Sequence, residues 1–124
     1  MAQKKVMIVD DDVDVSYNLT AVLENAGFEV VCYVDGQSAL NHIKEQRPDI
    51  VLLDVMMPGI SGFDVCEKIK SDPDTAAIPV IMLTGKDMGE DLEMAMKKKA
   101  DWFIAKPPDN KYLINRIEHF LEKK

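Results

Sequence analysis

Short, almost continuous apolar segments recur along the chain at residues 5–9, 50–53 and 80–83. Each is bounded by polar or turn-forming residues, a pattern typical of strands that are covered on both faces in a parallel sheet. Residues 28–33 and 102–105 show weaker versions of the same pattern. The hydrophobic pattern therefore predicts five strands, three of them buried.

Helical periodicity fills the intervals between these strands. The apolar residues at helical spacing are, in chain order, Val15, Leu19, Val22, Leu23 and Ala26; Ala39, Leu40 and Ile43; Val65, Cys66 and Ile69; Leu92, Ala95 and Met96; and Leu113, Ile114, Ile117 and Leu121. Gly27 is placed to end the first helix, and Ser61 has the spacing of a capping box before the third. Asp109 is the predicted N-cap of the last helix, because Pro107 and Pro108 before it cannot continue a helix. One helix is therefore expected after each strand.

Strands and helices alternate as five βα units, which we expect to form one domain spanning residues 1–124. Alternation of this kind predicts an α/β fold with a parallel sheet, right-handed crossovers and helices on both faces. In open sheets of this kind, ligands bind at the carboxyl ends of the strands. The residues that follow the strands are therefore the candidates for a functional site.

Composition narrows the classes of protein and partner. The 124 residues include 15 basic and 22 acidic side chains, a formal net charge of −7, which disfavours direct binding to nucleic acid. The longest apolar run, residues 30–34, falls far short of the roughly 18 residues that a membrane span needs. Cys32 and Cys66 lie in apolar surroundings without metal-ligand spacing, so we expect two buried free thiols. These features predict a cytoplasmic protein without membrane or direct nucleic-acid contacts.

Polar side chains occupy the carboxyl ends of four predicted strands. They are Asp10, Asp11 and Asp12 after the first, Asp54 at the third, Thr84 after the fourth and Lys106 after the fifth. Carboxylates brought together repel and raise one another's pKa, and a divalent cation removes that conflict. Oxygen ligands without His or Cys favour a hard ion, Mg²⁺ before Zn²⁺. With an ammonium and a hydroxyl group beside them, such carboxylates suit phosphoryl transfer, in which one carboxylate can be the nucleophile.

Each of these residues, taken singly, can also be explained by a purely structural role instead of a functional one. An aspartate after a strand is often a helix cap or a turn former, and Asp12 or Asp14 can cap the first helix. Thr84 fits a turn, and Lys106 fits an exposed surface lysine. The coincidence of these groups at four strand ends favours a functional site over several separate structural roles.

The sequence resembles the receiver domain of two-component response regulators, of the single-domain chemotaxis-regulator type, over essentially all 124 residues. The stretch around Asp54 carries the most specific part of this resemblance. The matching motifs are Val9-Asp10-Asp11, Leu53-Asp54-Val-Met-Met-Pro-Gly-Ile-Ser-Gly62, Met82-Leu83-Thr84-Gly85 and Ala105-Lys106-Pro107. The resemblance implies a flavodoxin-like (βα)5 three-layer sandwich whose parallel five-stranded sheet has the order 2-1-3-4-5.

The resemblance also implies a magnesium-dependent phosphoacceptor site. Asp54 would take a phosphoryl group from a sensor histidine kinase or a phosphotransfer protein. Asp10, Asp11 and Asp54, together with the backbone carbonyl of Met56, would hold Mg²⁺. Lys106, ahead of a cis peptide bond to proline, would contact the phosphoryl group.

Two further positions match residues that switch such domains between states. Thr84 would hydrogen-bond a phosphoryl oxygen, and Phe103 would turn inward behind Thr84. The face formed by the fourth helix, fifth strand and fifth helix would then bind a downstream protein target or an output domain differently. Catalysis would be limited to the domain's own phosphorylation and dephosphorylation, so we do not expect a turnover enzyme.

Several positions depart from the family pattern. Gly85 stands where alanine is frequent and loosens the backbone, and Pro108 replaces the usual aromatic or aliphatic residue. Lys99 stands where a glycine commonly ends the fourth helix, and a lysine costs more in a left-handed cap. Lys97, Lys98 and Lys99 are interpreted as a solvated helix end that complements the helix dipole, in preference to a docking patch.

Three other functions are alternatives. A phosphatase with an aspartate nucleophile after the first strand requires Asp-x-Asp-x-Thr/Val, and Asp14 occupies the last position of that pattern here. A flavodoxin-like cofactor site needs phosphate donors in the first loop, where three aspartates would repel the cofactor. A degenerate receiver would act as a phosphorylation-independent interaction module, which requires that Gly85 or Pro108 spoil the site. Because all the key residues are present, the phosphoacceptor is favoured.

Overall fold

The computed structural model describes residues 3–85 and 88–122 as five strands alternating with five helices. The strands are β1 (Lys5–Val9), β2 (Glu29–Tyr33), β3 (Ile50–Asp54), β4 (Val80–Thr84) and β5 (Trp102–Ala105). The helices are α1 (Val13–Asn25), α2 (Gly36–Gln46), α3 (Gly62–Ser71), α4 (Met88–Lys97) and α5 (Asn110–Glu122). Neighbouring strands are parallel, in the order β2-β1-β3-β4-β5. The predicted α/β fold and strand order are confirmed.

The sheet separates two hydrophobic clusters, because successive residues of each strand point to opposite faces. One cluster joins the sheet to α2, α3 and α4 and includes Val51 and Val65. The other joins the opposite face to α1 and α5 and includes Leu52 and Leu113. β1, β3 and β4 contribute to both clusters, which explains their almost continuous apolar sequences. Among the described residues, no helix has the length and apolarity needed to cross a bilayer.

Polar side chains fix where several helices begin. Asp12 caps α1, Asp35 caps α2 and Ser61 caps α3, each with an oxygen that accepts a backbone N–H of the first turn at 2.7–3.2 Å. Asp109 accepts the N–H of Tyr112 at 3.3 Å at the start of α5, as predicted. The helix-cap interpretation of Asp12 is confirmed, which leaves Asp10 and Asp11 for other roles.

Three of the described helices end in left-handed backbone conformations, and Arg47, with a φ of +49°, ends α2. Gly27 has a φ of +99° after α1, and Lys99 has a φ of +68° after α4. A lysine in this conformation costs roughly 1–2 kcal/mol relative to right-handed backbone. The neighbouring Lys98 pairs with Glu67 of α3 at 2.8 Å, so one lysine of the basic run is bound to an adjacent helix.

Three residues predicted to face the core lie at the surface instead. The prediction of a buried Cys32 is wrong: its side chain is exposed because β2 is an edge strand, whereas Cys66 is buried as predicted. Ala26 is the exposed C-cap of α1. Met96 is 71% exposed because Ala95, rather than its neighbour, faces the core from α4. The side chain of Leu92, predicted for the apolar stripe of this helix, lies outside the described residues.

Candidate functional site

Two buried carboxylates share one lysine at the carboxyl edge of the sheet. Asp10 directly follows β1 and is fully buried, and Asp54 is the last residue of β3 and only 6% exposed. The Nζ atom of Lys106, which follows β5, lies 2.8 Å from Oδ2 of Asp10 and 2.9 Å from Oδ1 of Asp54. The fold therefore brings together three of the residues that the sequence placed at strand ends.

Backbone hydrogen bonds position these side chains. The N–H of Asp10 donates to the carbonyl of Tyr33 at 3.1 Å, which continues the pairing of β1 with β2. Oδ1 of Asp10 accepts the N–H of Asp12 at 2.9 Å, so one carboxylate oxygen orders the loop while the other accepts from Lys106. The N–H of Lys106 donates to the carbonyl of Thr84 at 2.8 Å. Lys106 is thereby held at the sheet edge by its backbone as well as its side chain.

Gly62 lets the loop after β3 fold back against Asp54. A Cβ atom at Gly62 would overlap the backbone carbonyl of Asp54. The N–H of Gly62 donates to the carbonyl of Val55 at 3.0 Å, and Gly59 has a φ of +79° in the turn between them. The close approach therefore requires glycine at position 62. Hydrophobic periodicity gives no signal for this requirement.

Asp11 completes a cluster of three carboxylates with Asp10 and Asp54. One oxygen atom from each residue lies within 4.8 Å of the others, close enough to share a metal ion. Carboxylate oxygens suit a hard divalent cation such as Mg²⁺. Asp11 is exposed, so the cluster opens to solvent on one side. The residues present therefore fit a magnesium site.

Burial and charge act together on the acidic cluster. Burial raises the pKa of Asp54; the hydrogen bond from Lys106 opposes this rise, and the negative charges of Asp10 and Asp11 add to it. Burial alone would lower the pKa of Lys106, but its hydrogen bonds to Asp10 and Asp54 outweigh burial and raise it. Ionisation of Asp54 is therefore less favourable here than in water, and a further positive charge would relieve the repulsion.

Thr84 and Phe103 occupy neighbouring strands next to the sheet edge. Thr84, the last residue of β4, is fully buried, and its Oγ1 lies 3.5 Å from the carbonyl oxygen of Ile104, at the limit of hydrogen bonding. Phe103 of β5 is half-buried against the cluster of α2, α3 and α4. Phe103 is therefore partly exposed in this structure, and its inward turn stays a prediction.

The loops around the site include the two other predicted positions. The peptide bond between Lys106 and Pro107 is cis, as the resemblance implies. Met56 lies in the loop after β3, and its side chain is 79% exposed. The part of its backbone carbonyl in metal binding stays a prediction.

An open groove of about 490 Å³ adjoins Lys106. Most of its apolar lining comes from α1 and from the loop after β5, namely Val15, Leu19, Val22, Pro107 and Pro108. Gly85 also lines the groove, and a Cβ atom there would meet no other atom within 4 Å. Two positions that depart from the family pattern, Gly85 and Pro108, therefore shape the surface next to Lys106.

Sequence reasoning missed a cluster between β5 and α5. Nε1 of Trp102 donates to the hydroxyl of Tyr112 at 3.0 Å, and the guanidinium of Arg116 lies over both rings. The four-residue spacing of Tyr112 and Arg116 indicates a shared helix face. Their contact with Trp102 depends on how α5 packs on β5, for which the sequence carries no signal.

Comparison with known proteins identifies the family of this fold. A model of the response regulator receiver domain family matches residues 6–118. The DNA-binding response regulator MtrA of Mycolicibacterium paratuberculosis is 37% identical over 121 residues, which cover 98% of this chain and 52% of MtrA. The chain thus spans about half the length of the curated relatives it matches.

Solved structures of receiver domains have the same fold as this chain. A CheY-like response regulator receiver domain protein from Methanospirillum hungatei JF-1 has a TM-score of 0.91 at 26% identity, over 98% of this chain and 96% of that one. The signal receiver domain of a signal transduction histidine kinase from Syntrophus aciditrophicus has a TM-score of 0.91 at 30% identity, over 97% and 91%. The fold and the site define an α/β domain with an acidic cluster at the carboxyl edge of its sheet. The chain belongs to the family of response regulator receiver domains.

Proposed function

We propose that the chain is the phosphoacceptor of a two-component phosphorelay, in which Asp54 takes a phosphoryl group in a Mg²⁺-dependent step. The observation that carries this proposal is the position of Asp54 beside Lys106, Asp10 and Asp11 at one edge of the sheet. Phosphoryl transfer to a carboxylate needs a nucleophile, positive charge for the transferred group and ligands for a divalent ion. This arrangement supplies the side chains for all three.

The proposed step forms one bond and breaks another at phosphorus. A carboxylate oxygen of Asp54 bonds to phosphorus as the bond from phosphorus to the donor breaks. With a phosphohistidine donor the imidazole nitrogen leaves with the electron pair, and with acetyl phosphate the leaving group is acetate. The product is an acyl phosphate on Asp54. Water later returns the carboxylate and inorganic phosphate, so the domain modifies itself and does not act as a turnover enzyme.

In this proposal, Mg²⁺ and Lys106 together neutralise the negative charge of the transferred phosphoryl group. Bound Mg²⁺ would supply positive charge next to the phosphoryl oxygens. Asp10, Asp11 and Asp54 would hold the ion, with the backbone carbonyl of Met56 as a further ligand. Lys106 would contact the phosphoryl group as a compact positive charge. The raised pKa of Asp54 supports a need for added positive charge, because only the ionised carboxylate is an effective nucleophile.

Thr84 and Phe103 form the proposed switch. Because the contact from Oγ1 of Thr84 to the carbonyl oxygen of Ile104 is long, a phosphoryl oxygen would offer it a better acceptor. Movement of Thr84 toward the site would make room for Phe103 to turn inward. The face of α4, β5 and α5 would then bind a downstream protein target or an output domain. Shifting such an equilibrium from 1:99 to 99:1 takes about 5.5 kcal/mol of differential stabilisation.

Proteins are the proposed partners of this domain. A sensor histidine kinase or a phosphotransfer protein would donate the phosphoryl group. The relative MtrA is named a DNA-binding response regulator, and this chain matches about half of the length of MtrA. The net charge of −7 argues against direct contact of this domain with nucleic acid. A cytoplasmic location suits these partners and stays a prediction.

Intact-mass measurement after incubation with acetyl phosphate tests the proposal. The wild type should gain one phosphoryl adduct with Mg²⁺ and none when the metal is chelated. Asp54→Asn should gain none, whereas Asp74→Asn, which changes an exposed carboxylate in the loop before β4, should be labelled like the wild type. Absence of an adduct on folded wild-type protein at short times would instead favour a phosphorylation-independent interaction module.

A further inference from the structure

We infer that Trp102 is a positioning residue that holds Phe103 in its partly exposed position before phosphorylation, and that Tyr112 and Arg116 of α5 hold Trp102 in place. The inference rests on the proposed phosphoryl switch and names the contacts that set its resting state. The predicted switch residues are Thr84 and Phe103. The structure adds a connection from Phe103 to the fifth helix.

The rings of Trp102 and Phe103 stack although the two residues are neighbours on β5. Side chains of successive strand residues point to opposite faces, and Trp102 packs toward α1 and α5 while Phe103 packs toward α2, α3 and α4. Their ring centroids nevertheless lie 6.1 Å apart, with 24° between the planes. β5 is an edge strand, so the rings can meet around its open side. A fully inward Phe103 would give up this contact.

Three side chains of α5 hold the ring of Trp102. Its Nε1–H donates to the hydroxyl of Tyr112 at 3.0 Å. The guanidinium of Arg116 lies 5.7 Å from the centroid of Trp102 and 5.9 Å from that of Tyr112. The ring of Phe120 lies 6.3 Å from that of Trp102. These residues share one face of α5 because they are spaced by four positions.

The β5–α5 cluster consists of Trp102, Tyr112, Arg116 and Phe120. Its contacts hold Phe103 in place, but they are weak enough to break when Phe103 turns inward. Aromatic stacking and a cation over a ring each contribute modestly. The buried Nε of Arg116 has no hydrogen-bond partner in the described part of the chain, which offsets part of that gain. Tyr112 is 42% exposed, so water can replace its hydrogen bond to Trp102. Attraction of Thr84 to a phosphoryl group can therefore overcome these contacts.

Weaker contacts in this cluster should increase the fraction of molecules that is ready to accept the phosphoryl group. The apparent rate of labelling follows that fraction, so loosened variants should be labelled faster. The same variants lose native contacts and should unfold more easily. A residue with a purely structural role would lower stability without raising the labelling rate.

The test compares initial rates of labelling by acetyl phosphate with Mg²⁺, measured by intact mass. Tyr112→Phe removes only the hydroxyl that accepts from Trp102, and Arg116→Met removes the cation while keeping an unbranched chain. Both should be labelled about twofold to tenfold faster than the wild type. Tyr17→Phe makes the same chemical change at an exposed tyrosine of α1 and should be labelled at the wild-type rate.

Tryptophan fluorescence is a second measurement of the contacts of Trp102, because Trp102 is the chain's only tryptophan. Labelling should change the emission of the wild type, and Tyr112→Phe should change it before labelling. Rates at or below the wild-type value in both α5 variants, with the wild type labelled normally, would overturn the inference and leave the proposed function intact. A wild type that takes up no phosphoryl group would overturn the proposed function and this inference with it.

Discussion

The Nζ atom of Lys106 lies 2.9 Å from Oδ1 of Asp54, which joins the end of an edge strand to the end of the central strand. The same ammonium group reaches Asp10 at 2.8 Å on the far side of Asp54 in the sheet order. Asp11 completes a cluster of three carboxylates, and among the described residues Lys106 is the lysine that contacts two of them. The remaining negative charge is the physical reason to expect a divalent cation at this edge.

Lys106→Ala should destabilise the domain when Mg²⁺ is absent. The substitution leaves Asp10 and Asp54 as buried carboxylates without their shared cation. Breaking a buried ion pair costs several kcal/mol, and partial exposure of Lys106 reduces the expected loss to about 2 kcal/mol. Urea unfolding in a chelator measures it, with Lys97→Ala at the exposed end of α4 as the control. Equal stabilities of the two variants would show that the carboxylates do not depend on Lys106.

Mg²⁺ should raise the melting temperature of the wild type, and Asp11→Asn should weaken its binding. Loss of one of three charged ligands should reduce the affinity about tenfold or more. A Mg²⁺ titration followed by thermal unfolding gives the apparent affinity. Asp12→Asn serves as the control because asparagine also caps helices and Asp12 caps α1 outside the carboxylate cluster. Unchanged affinity in Asp11→Asn would place the metal elsewhere.

Gly62→Ala should destabilise the domain, because the added Cβ atom would overlap the carbonyl of Asp54. Overpacking of this kind costs about 1–3 kcal/mol. Gly85→Ala is the matched control, since its Cβ atom would enter open space and should change stability by less than about 0.5 kcal/mol. Urea unfolding compares the two. A stable Gly62→Ala variant would mean that the loop after β3 can move away from Asp54 at little cost.

A chromogenic disulfide reagent should find one fast thiol in the native protein. Cys32 is exposed, whereas burial raises the pKa of the Cys66 thiol to about 11. Roughly one Cys66 in a thousand would then be a thiolate at pH 8, and raising the pH to 10 would increase that fraction about a hundredfold. Denaturation should expose the second thiol, and Cys32→Ser should abolish the fast reaction. Two fast thiols in the folded wild type would contradict the burial of Cys66.

The order of elements and the residues at the strand ends were predictable because both follow from connectivity. Strands such as β3, buried on both faces, leave an almost continuous apolar sequence. Every βα unit also places the carboxyl end of its strand at the same edge, which brings Asp10, Asp54 and Lys106 together. The order 2-1-3-4-5 needed the family resemblance, since alternation alone is compatible with several orders. The resemblance likewise identified Lys99 as a lysine in a position that favours glycine.

Features that depend on which strands and helices pack side by side could not be predicted from the sequence. Cys32 has an apolar sequence environment, yet its strand lies at the sheet edge, where one side has no neighbouring strand. Trp102, Tyr112 and Arg116 are far from the acidic motifs in the sequence and show no pattern linking them. Their contacts arise from the packing of α5 on β5 and from side-chain rotamers, which hydrophobic periodicity does not encode.

The location of the phosphoryl group on Asp54 is the central claim and can be measured directly. Wild-type protein labelled with acetyl phosphate and Mg²⁺ would be reduced with borohydride, which converts an acyl phosphate to an alcohol and thus a phosphorylated aspartate to homoserine. Peptide sequencing by mass spectrometry then locates the homoserine. We predict homoserine at position 54 alone, and none in unlabelled protein. Homoserine at Asp10 or Asp11, or at no aspartate despite a phosphoryl adduct, would contradict the account.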